Sequence, residues 1–153
     1  MPDNRDGCAS KPDEHDDEAA AQKRPPETGH MIATRNALPA TRNSVTHKFS
    51  VNGHEGYLTI GLYEDGLPGE IFIKMAKEGS TMKGMVQAFC RAFSLAIQYG
   101  LPIDEACARF RGMRFEPMGM TSNPDIPQAT SIVDYVAHYL EHEFGSTQES
   151  SRL

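Results

Sequence analysis

The residues whose spacing suits a metal site are the two histidines and the glutamate of HYLEH, residues 138–142. The pattern H-x-x-E-H is that of the inverted zincins, in which both histidines share one helix face and bind zinc while the glutamate acts as the base. Those enzymes take a further carboxylate ligand from well downstream, and only the polar stretch EFGSTQESSRL follows here. We therefore predict no metal site, with His138, Glu141 and His142 at an exposed helix end, where histidines meet the negative pole of the helix dipole.

A second group with acid–base potential surrounds the first predicted turn. His47 or His54 could pair with Glu55 as acid and base, but the sequence places no serine, cysteine or second carboxylate beside them as a nucleophile. We therefore predict a solvated turn and no catalytic residue. The sequence also lacks GxxxxGK[ST] and GxGxxG, the two commonest phosphate-binding loops, so we predict no cofactor-binding residue from motifs.

The three cysteines, Cys8, Cys90 and Cys107, show no C-x-x-C spacing. This odd number disfavours both a disulfide framework and a thiolate zinc site. Cys90 and Cys107 fall in apolar helical contexts, where small buried thiols are common. We predict that these two are core residues and that Cys8 is an exposed residue of a polar tail.

Length and charge limit the class of protein. A chain of 153 residues is long enough for one domain with a hydrophobic core. Its formal net charge of -6 disfavours general nucleic-acid binding, which needs a clustered basic surface. No apolar run approaches the roughly 18 residues of a spanning helix, and the polar N-terminus lacks the hydrophobic stretch of a signal peptide. We expect a cytoplasmic protein with no nucleic-acid or membrane partner.

Composition divides the chain at about residue 43. Residues 1–43 are charged, contain proline and have few large apolar side chains, so they cannot bury enough surface to offset the entropy of ordering. We predict disordered polar tails over residues 1–43 and 146–153, and one domain over residues 44–145. The acidic run DEHDDE, residues 13–18, is expected to be solvated and to bind no cation.

Three segments alternate apolar and polar residues with the period of two that is typical of a half-buried strand. They are THKFSV, GYLTIGLY and EIFIKM, at residues 46–51, 56–63 and 70–75. Asn52-Gly53 marks a hairpin turn between the first two. The three segments predict an antiparallel meander with one apolar face, and that face needs a cover.

A helical pattern follows the meander over residues 80–99. Its apolar stripe consists of Met82, Met85, Val86, Phe89, Phe93, Ala96 and Ile97. Such a stripe is wide enough to pack on a sheet. We predict that Ser80 or Thr81 caps the helix and that Gly100 ends it. The predicted fold class is α+β, a three-stranded antiparallel meander covered by about three helices.

Residues 102–112 and 129–143 predict the two further helices, and a long Pro-rich loop, residues 113–127, connects them. Structureless connections of this length in compact domains are often functional, so the loop is the predicted binding surface. The candidate binding residues are Arg114, Glu116, Asn123 and Asp125. The same side chains could equally hold the loop to its own helices.

Two longer stretches give the chain a family resemblance. EDGLPGEIFIKMAKEGST at residues 64–81 and RFEPMGMTSNPDIP at residues 114–127, with LAIQYGLP between them, resemble the C-terminal region of adenosylcobalamin-dependent (class II) ribonucleotide reductases. The resemblance extends from about Leu38 to Phe144. The same region is related to the TSCPD domain, named after a motif that does not occur in this sequence. In that family a large barrel holds the cobalamin and the reactive cysteines, and nothing here resembles that barrel.

The resemblance implies a stand-alone accessory module that docks on a catalytic ribonucleotide reductase chain and supports ribonucleotide reduction for DNA synthesis. It implies no cofactor in this chain and adenosylcobalamin in the catalytic partner. No catalytic residue is carried over, because Cys90 and Cys107 do not match the reactive thiols of the family. The alternative is a small nucleotide- or protein-binding regulatory module that uses residues 113–127. A three-stranded sheet leaves two open edges, so we also expect either a covered edge or a homo-oligomer.

Overall fold

The computed structural model describes residues 32–146, which contain a sheet of three strands, three helices and a pair of two-residue strands. The predicted α+β fold class is therefore confirmed. The predicted tails comprise residues 1–43 and 146–153. Of these, residues 1–31 and 147–153, with Cys8 and the acidic run, lie outside the described residues. None of the helices in the described part of the chain is both long enough and apolar enough to cross a membrane.

The sheet is the predicted antiparallel meander, with strand order β1-β2-β3. β1 is Ser44–Val51, β2 is His54–Leu62 and β3 is Pro68–Met75. Asn52 and Gly53 join β1 to β2 with φ values of 47° and 79°. These left-handed conformations are the ones that a two-residue hairpin turn requires, so the predicted turn is confirmed.

One face of the sheet is buried, as the alternation of residues predicts. Its buried side chains are Phe49, Val51, Leu58, Ile60, Ile71, Ile73 and Met75. Each large apolar side chain that is removed from water contributes roughly 1.5–3 kcal/mol. The opposite face is polar apart from Tyr57 and Phe72, which are 43% and 54% exposed.

Three helices follow the sheet along the chain. α1 is Ser80–Gln98, α2 is Ile103–Phe110 and α3 is Ile132–Phe144. The buried residues of α3 are Ile132, Val133, Asp134, Tyr135, Val136, Ala137, Tyr139 and Leu140. Because these positions lie on nearly every side of the helix, α3 is the central helix of the core.

The start of α1 differs from the prediction. Gly79 occupies the N-cap position and no side chain hydrogen-bonds the free N–H groups of the first turn. The prediction that Ser80 or Thr81 caps the helix was therefore wrong, because both residues already lie within its first turn. The end agrees with the prediction, since Gly100 follows the helix with a φ of 102°, a conformation that favours glycine.

The buried stripe of α1 also differs from the prediction. Met85, which the helical pattern places in the core, is 66% exposed. The buried residues of this helix are Val86, Cys90, Phe93, Ser94 and Gln98. The buried stripe is rotated around the helix so that it includes the polar residues Ser94 and Gln98. A pattern of hydrophobicity alone cannot place polar residues in a core.

These two polar side chains hydrogen-bond the outer edge of β3. The Ile71 N–H donates to Ser94 Oγ at 2.9 Å, and the Ser94 hydroxyl donates to the Ile71 carbonyl at 3.4 Å. The Gln98 side-chain amide donates to the Gly69 carbonyl at 2.8 Å. Backbone groups that would otherwise be unpaired at the edge of the sheet therefore have partners in α1.

The thiol of Cys90 continues the same row, because it faces the backbone of Ile73, which partly opposes the rise in its pKa that burial causes. The three side chains lie four residues apart in α1 and face backbone positions two residues apart in β3. Four residues of helix rise about 6 Å, and two residues of strand span about 6.7 Å. The two spacings match over this length, so α1 covers the β3 edge. A covered edge is one of the two arrangements expected for this sheet, the other being a homo-oligomer.

Residues 35–43 also lie against the domain, although composition assigns them to the polar tail. The Asn36 N–H donates to the Gln98 carbonyl at 2.9 Å, and the Tyr63 hydroxyl donates to the Asn36 carbonyl at 2.5 Å. These partners are distant in sequence, so the composition of a short window carries no sign of them.

Replacing Ser94 with alanine, which removes only the hydroxyl, should lower the free energy of unfolding by about 1–3 kcal/mol, because the buried N–H and C=O groups of Ile71 lose their partner. Urea unfolding followed by far-UV circular dichroism measures the change. Gln87→Ala, at an exposed position of the same helix, is the control and should alter stability by at most about 0.5 kcal/mol. Equal small effects of the two substitutions would show that apolar contacts alone hold α1 on β3.

Candidate functional site

The loop of residues 113–127 is held at both ends by one buried carboxylate. Asp134, which is 4% exposed, accepts a hydrogen bond from the Gly112 N–H at 2.6 Å with one oxygen and from the Thr130 N–H at 3.0 Å with the other. Its own N–H donates to Ser131 Oγ, the N-cap of α3. A buried carboxylate needs such donors, and here they are the two backbone positions that flank the loop.

The interior of the loop is ordered by a short pair of strands and by contacts with β1. β4, Gly119–Met120, pairs antiparallel with β5, Gln128–Ala129. The Asn52 N–H donates to the Met120 carbonyl at 2.8 Å, and the Ser122 N–H donates to the Ser50 carbonyl at 3.2 Å. The loop therefore covers the end of the β1 edge that adjoins the hairpin turn.

The four predicted binding residues do not form one cluster. The Asp125 N–H donates to Asn123 Oδ1 at 3.0 Å, so these two are adjacent in a side-chain-closed turn. Glu116 accepts a hydrogen bond from the Met118 N–H at 3.2 Å, and Arg114 is exposed. Within residues 32–146, no hydrogen bond or ion pair joins either of the last two residues to Asn123 or Asp125. That the loop binds a ligand stays a prediction.

A cluster that the sequence did not reveal joins β1, α3 and the loop. His47 Nε2 lies 2.8 Å from the Tyr135 hydroxyl, and the Asn123 side-chain amide donates to the same hydroxyl at 3.2 Å. The His47 ring is stacked on Tyr139 with ring centroids 4.0 Å apart. The prediction of a solvated turn was wrong for His47, because this residue alternates in β1 with Phe49 on the inner face of the sheet.

Burial sets the acid–base properties of this cluster. It lowers the pKa of His47 below its ordinary value, because the charged ring is poorly solvated there, and the Glu143 carboxylate partly opposes that shift. Burial raises the pKa of Tyr135, and the hydrogen bond from Asn123 partly opposes this. Near neutral pH the cluster is therefore an uncharged network that fixes the loop on α3 and β1.

The HYLEH residues point to three different partners. His138 Nε2 lies 3.3 Å from Asp134 Oδ1, Glu141 pairs with Arg111 at 3.2 Å, and His142 Nδ1 lies 3.1 Å from Glu143 Oε1. No group of three or more His, Cys, Asp or Glu side chains in residues 32–146 is arranged to hold a metal ion.

A groove with a volume of about 790 Å³ runs along the β3 edge beside α1. Its charged residues are Arg35, Glu70, Lys74, Lys83 and Arg91. Glu70 pairs with Arg42 at 2.5 Å, whereas Lys74, Lys83 and Arg91 form no ion pair with another described residue. The rim of the groove is therefore cationic in an acidic protein, and it suits an anionic ligand or an acidic segment of another chain.

The two described cysteines are core residues, as predicted. Cys90 is 4% exposed and Cys107 is fully buried. Burial raises the pKa of Cys90 to about 11 and that of Cys107 to about 12, and the Glu141 carboxylate adds to the second shift. Because the thiolate is the reactive form of cysteine, both side chains are poor nucleophiles near neutral pH.

Comparison with known proteins places most of the chain in one family. The family described as TSCPD domain matches residues 27–144. The chain is 50% identical over 145 residues to a vitamin B12-dependent ribonucleotide reductase of Rhodopirellula baltica, a match that covers 93% of this chain and 14% of that protein. It is 47% identical over 119 residues to the protein of the same name from Streptomyces avermitilis, covering 78% of this chain and 12% of the relative.

A third relative of that name, from Streptantibioticus cattleyicolor, is 44% identical over 119 residues, which are 78% of this chain and 20% of the relative. The chain thus spans only a fifth or less of the length of these curated relatives. No solved structure gives a significant match.

The family description also identifies a signal that the sequence analysis missed. It spells T-S-C-P-D, and residues 121–125 read TSNPD, so four of the five letters agree and Asn123 stands at the cysteine position. This turn is the part of the loop that reaches the His47 cluster through the Tyr135 hydroxyl. Comparing residues 121–125 with the five letters one by one would have drawn attention to Asn123, the one residue that differs.

The stability of the domain should fall as the pH is lowered below about 6.5, the ordinary pKa of histidine, and His47 should contribute to that fall. Its pKa is depressed in the folded state, so protonation favours the unfolded chain, and the contribution present above this pH is lost as the pH falls through the folded-state pKa. Urea midpoints at several pH values between about 7.5 and 5 measure it. His47→Gln should flatten the profile, and His142→Gln, at an exposed position, should leave it close to wild type. Parallel profiles for the wild type and His47→Gln would contradict this assignment.

Both described thiols should resist alkylation in the folded protein. At pH 8 the thiolate fraction of Cys90, whose pKa is about 11, is only about one part in a thousand, and burial blocks the reagent as well. Iodoacetamide labelling of a Cys8→Ser variant, read by intact mass, should show almost no modification in buffer and two modifications in 6 M guanidinium. Rapid modification of either thiol in buffer would contradict the buried, protonated state.

Proposed function

The chain belongs to the TSCPD domain family, and on that premise we propose that it is an accessory domain of ribonucleotide reduction that docks on a catalytic chain. It is related to a part of proteins named vitamin B12-dependent ribonucleotide reductases. The observation that carries the proposal is the coverage: the similarity extends over 93% of this chain and over 14% of the Rhodopirellula baltica relative. The rest of that relative has no counterpart in these 153 residues.

The chemistry of the described residues supports docking over catalysis. Ribonucleotide reduction in the family that the chain resembles depends on reactive cysteines. Cys90 and Cys107 are instead buried, with pKa values raised to about 11 and 12. In this proposal the reactive thiols belong to the catalytic chain, and this domain supports the supply of deoxyribonucleotides for DNA synthesis.

We assign adenosylcobalamin, which the resemblance implies, to the catalytic chain as well. The groove beside α1 supports a different ligand for this chain, because lysine and arginine side chains form most of its charged rim and suit an anion.

A tagged full-length chain expressed in its native host should recover a cobalamin-dependent ribonucleotide reductase chain, and the two purified proteins should bind with a Kd of about 1 μM or tighter, the weak end for an interface of standard size. Affinity purification with mass spectrometry, followed by calorimetry on purified components, provides the measurement. The tag alone is the control. Recovery of no reductase chain in both formats would contradict docking.

An activity assay tests the second part of the proposal, that this chain does not catalyse ribonucleotide reduction by itself. The purified chain, supplied with adenosylcobalamin, a dithiol and ribonucleotides, should form no deoxyribonucleotide. Turnover by this chain alone would contradict the accessory role even if binding were observed.

A further inference from the structure

One face of α1 is exposed although it is apolar. Met85, Ala88, Ala92, Leu95 and Tyr99 follow one another at intervals of three, four, three and four residues, the last of them being the C-cap of the helix. All five are exposed, and Met85, Leu95 and Tyr99 are 66%, 43% and 48% exposed. We call these five residues the outer face of α1. No charged or strongly polar residue interrupts it.

The outer face lies on the side of the helix opposite its buried stripe. The inner stripe, which contains Val86, Cys90 and Phe93, packs on the sheet, so α1 has an apolar surface on two opposite sides. A helix that is apolar on all sides is normally buried, and exposed apolar patches of this kind mark interaction sites. The sheet accounts for one side only.

The shape of the outer face suits another helix. Intervals of three and four residues produce the continuous seam along which two helices pack by inserting side chains between those of the partner. Ala88 and Ala92 occupy the middle of the seam, and their small side chains permit a close approach of the helix axes, about 8 Å. The larger Met85 and Tyr99 flank this middle at either end.

One charge beside the seam selects the partner. The sequence of α1, STMKGMVQAFCRAFSLAIQ, contains no acidic residue, and its two charged residues are Lys83 and Arg91. Arg91 lies three residues after Ala88 and four before Leu95, so it flanks the seam, whereas Lys83 lies three residues before Val86, on the side of the inner stripe. The α1 of a second copy would offer Arg91 no acidic residue, whereas a helix with acidic residues beside its apolar stripe would pair with it.

We propose that the outer face of α1 is the surface through which this chain docks on its catalytic partner, and that the partner contributes an amphipathic helix whose apolar stripe is flanked by Asp or Glu. This inference rests on the proposed function and names the surface for it. The apolar seam supplies the contact area, and Arg91 supplies the orientation and the preference for an acidic partner.

The apolar seam is tested by placing a charge at its end. Met85→Glu should lower the recovery of the reductase chain in the native-host purification at least about tenfold, because it puts an unpaired carboxylate into the contact. Leu67→Glu is the control, since Leu67 is an exposed apolar residue of the turn between β2 and β3, outside both the outer face of α1 and the loop, and it should leave recovery unchanged. Ala92→Glu against Ala108→Glu, an exposed alanine of α2, repeats the comparison at the middle of the seam. Thermal unfolding confirms that all four variants remain folded.

The charge preference is tested on the same preparation. Arg91→Glu should reduce recovery several-fold, and raising the salt concentration should weaken the wild-type complex. Lys77→Glu, at an exposed position outside the groove, should have no such effect. Unchanged or increased recovery with Arg91→Glu would overturn the acidic partner.

The outcomes separate this inference from the proposed function. Equal recovery with the wild type and the folded Met85→Glu and Ala92→Glu variants would overturn the outer face as the docking surface while leaving the docking function in place. A wild-type dimer in sedimentation that Met85→Glu dissociates would overturn it too, because a second copy would be the occupant. Recovery of no reductase chain by the wild type would overturn the proposed function and this inference together.

Discussion

The row of side chains from α1 that bonds the outer edge of β3 determines much of the arrangement of this domain. Ser94 and Gln98 pair with the backbone of the strand, and the match between helix rise and strand rise lets them do so in succession. A helix held along an edge leaves the middle of the inner sheet face to another element. α3 takes that place, where Tyr135 stacks on Phe49 of β1 with ring centroids 5.0 Å apart. The same position leaves the far side of α1 facing outward, where its apolar seam has no cover within the described residues.

α3 connects the core to the loop through two consecutive residues. Asp134 binds the backbone on both flanks of the loop, and Tyr135 accepts the Asn123 amide from its middle while it contacts His47 of β1. Both side chains are buried, so their geometry is fixed by the packing of α3 against the sheet. The conformation of the loop therefore depends on the core, and a loop with little regular secondary structure keeps a defined surface.

The sequence predicted the parts of this fold that depend on local pattern. Alternation placed Leu58 and Ile73 on the buried face, and Asn52-Gly53 identified the hairpin, because period and turn chemistry are readable within a few residues. Buried polar residues could not be found in this way. Gln98 and Asp134 look like surface residues until their partners, the Gly69 carbonyl and the Gly112 and Thr130 N–H groups, are known. The Gly69 carbonyl lies in β3, far from Gln98 in the sequence. The Gly112 and Thr130 N–H groups come together at Asp134 only in the folded chain.

The side chain of Asn123 determines how firmly its turn is held to the core. Its side chain donates to the Tyr135 hydroxyl and accepts from the Asp125 N–H, so it uses both a donor and an acceptor. A cysteine at this position would offer only one weak donor and one weak acceptor and could not hold both partners as firmly. Asn123 therefore connects the turn rigidly to the core, and the loop keeps a defined surface.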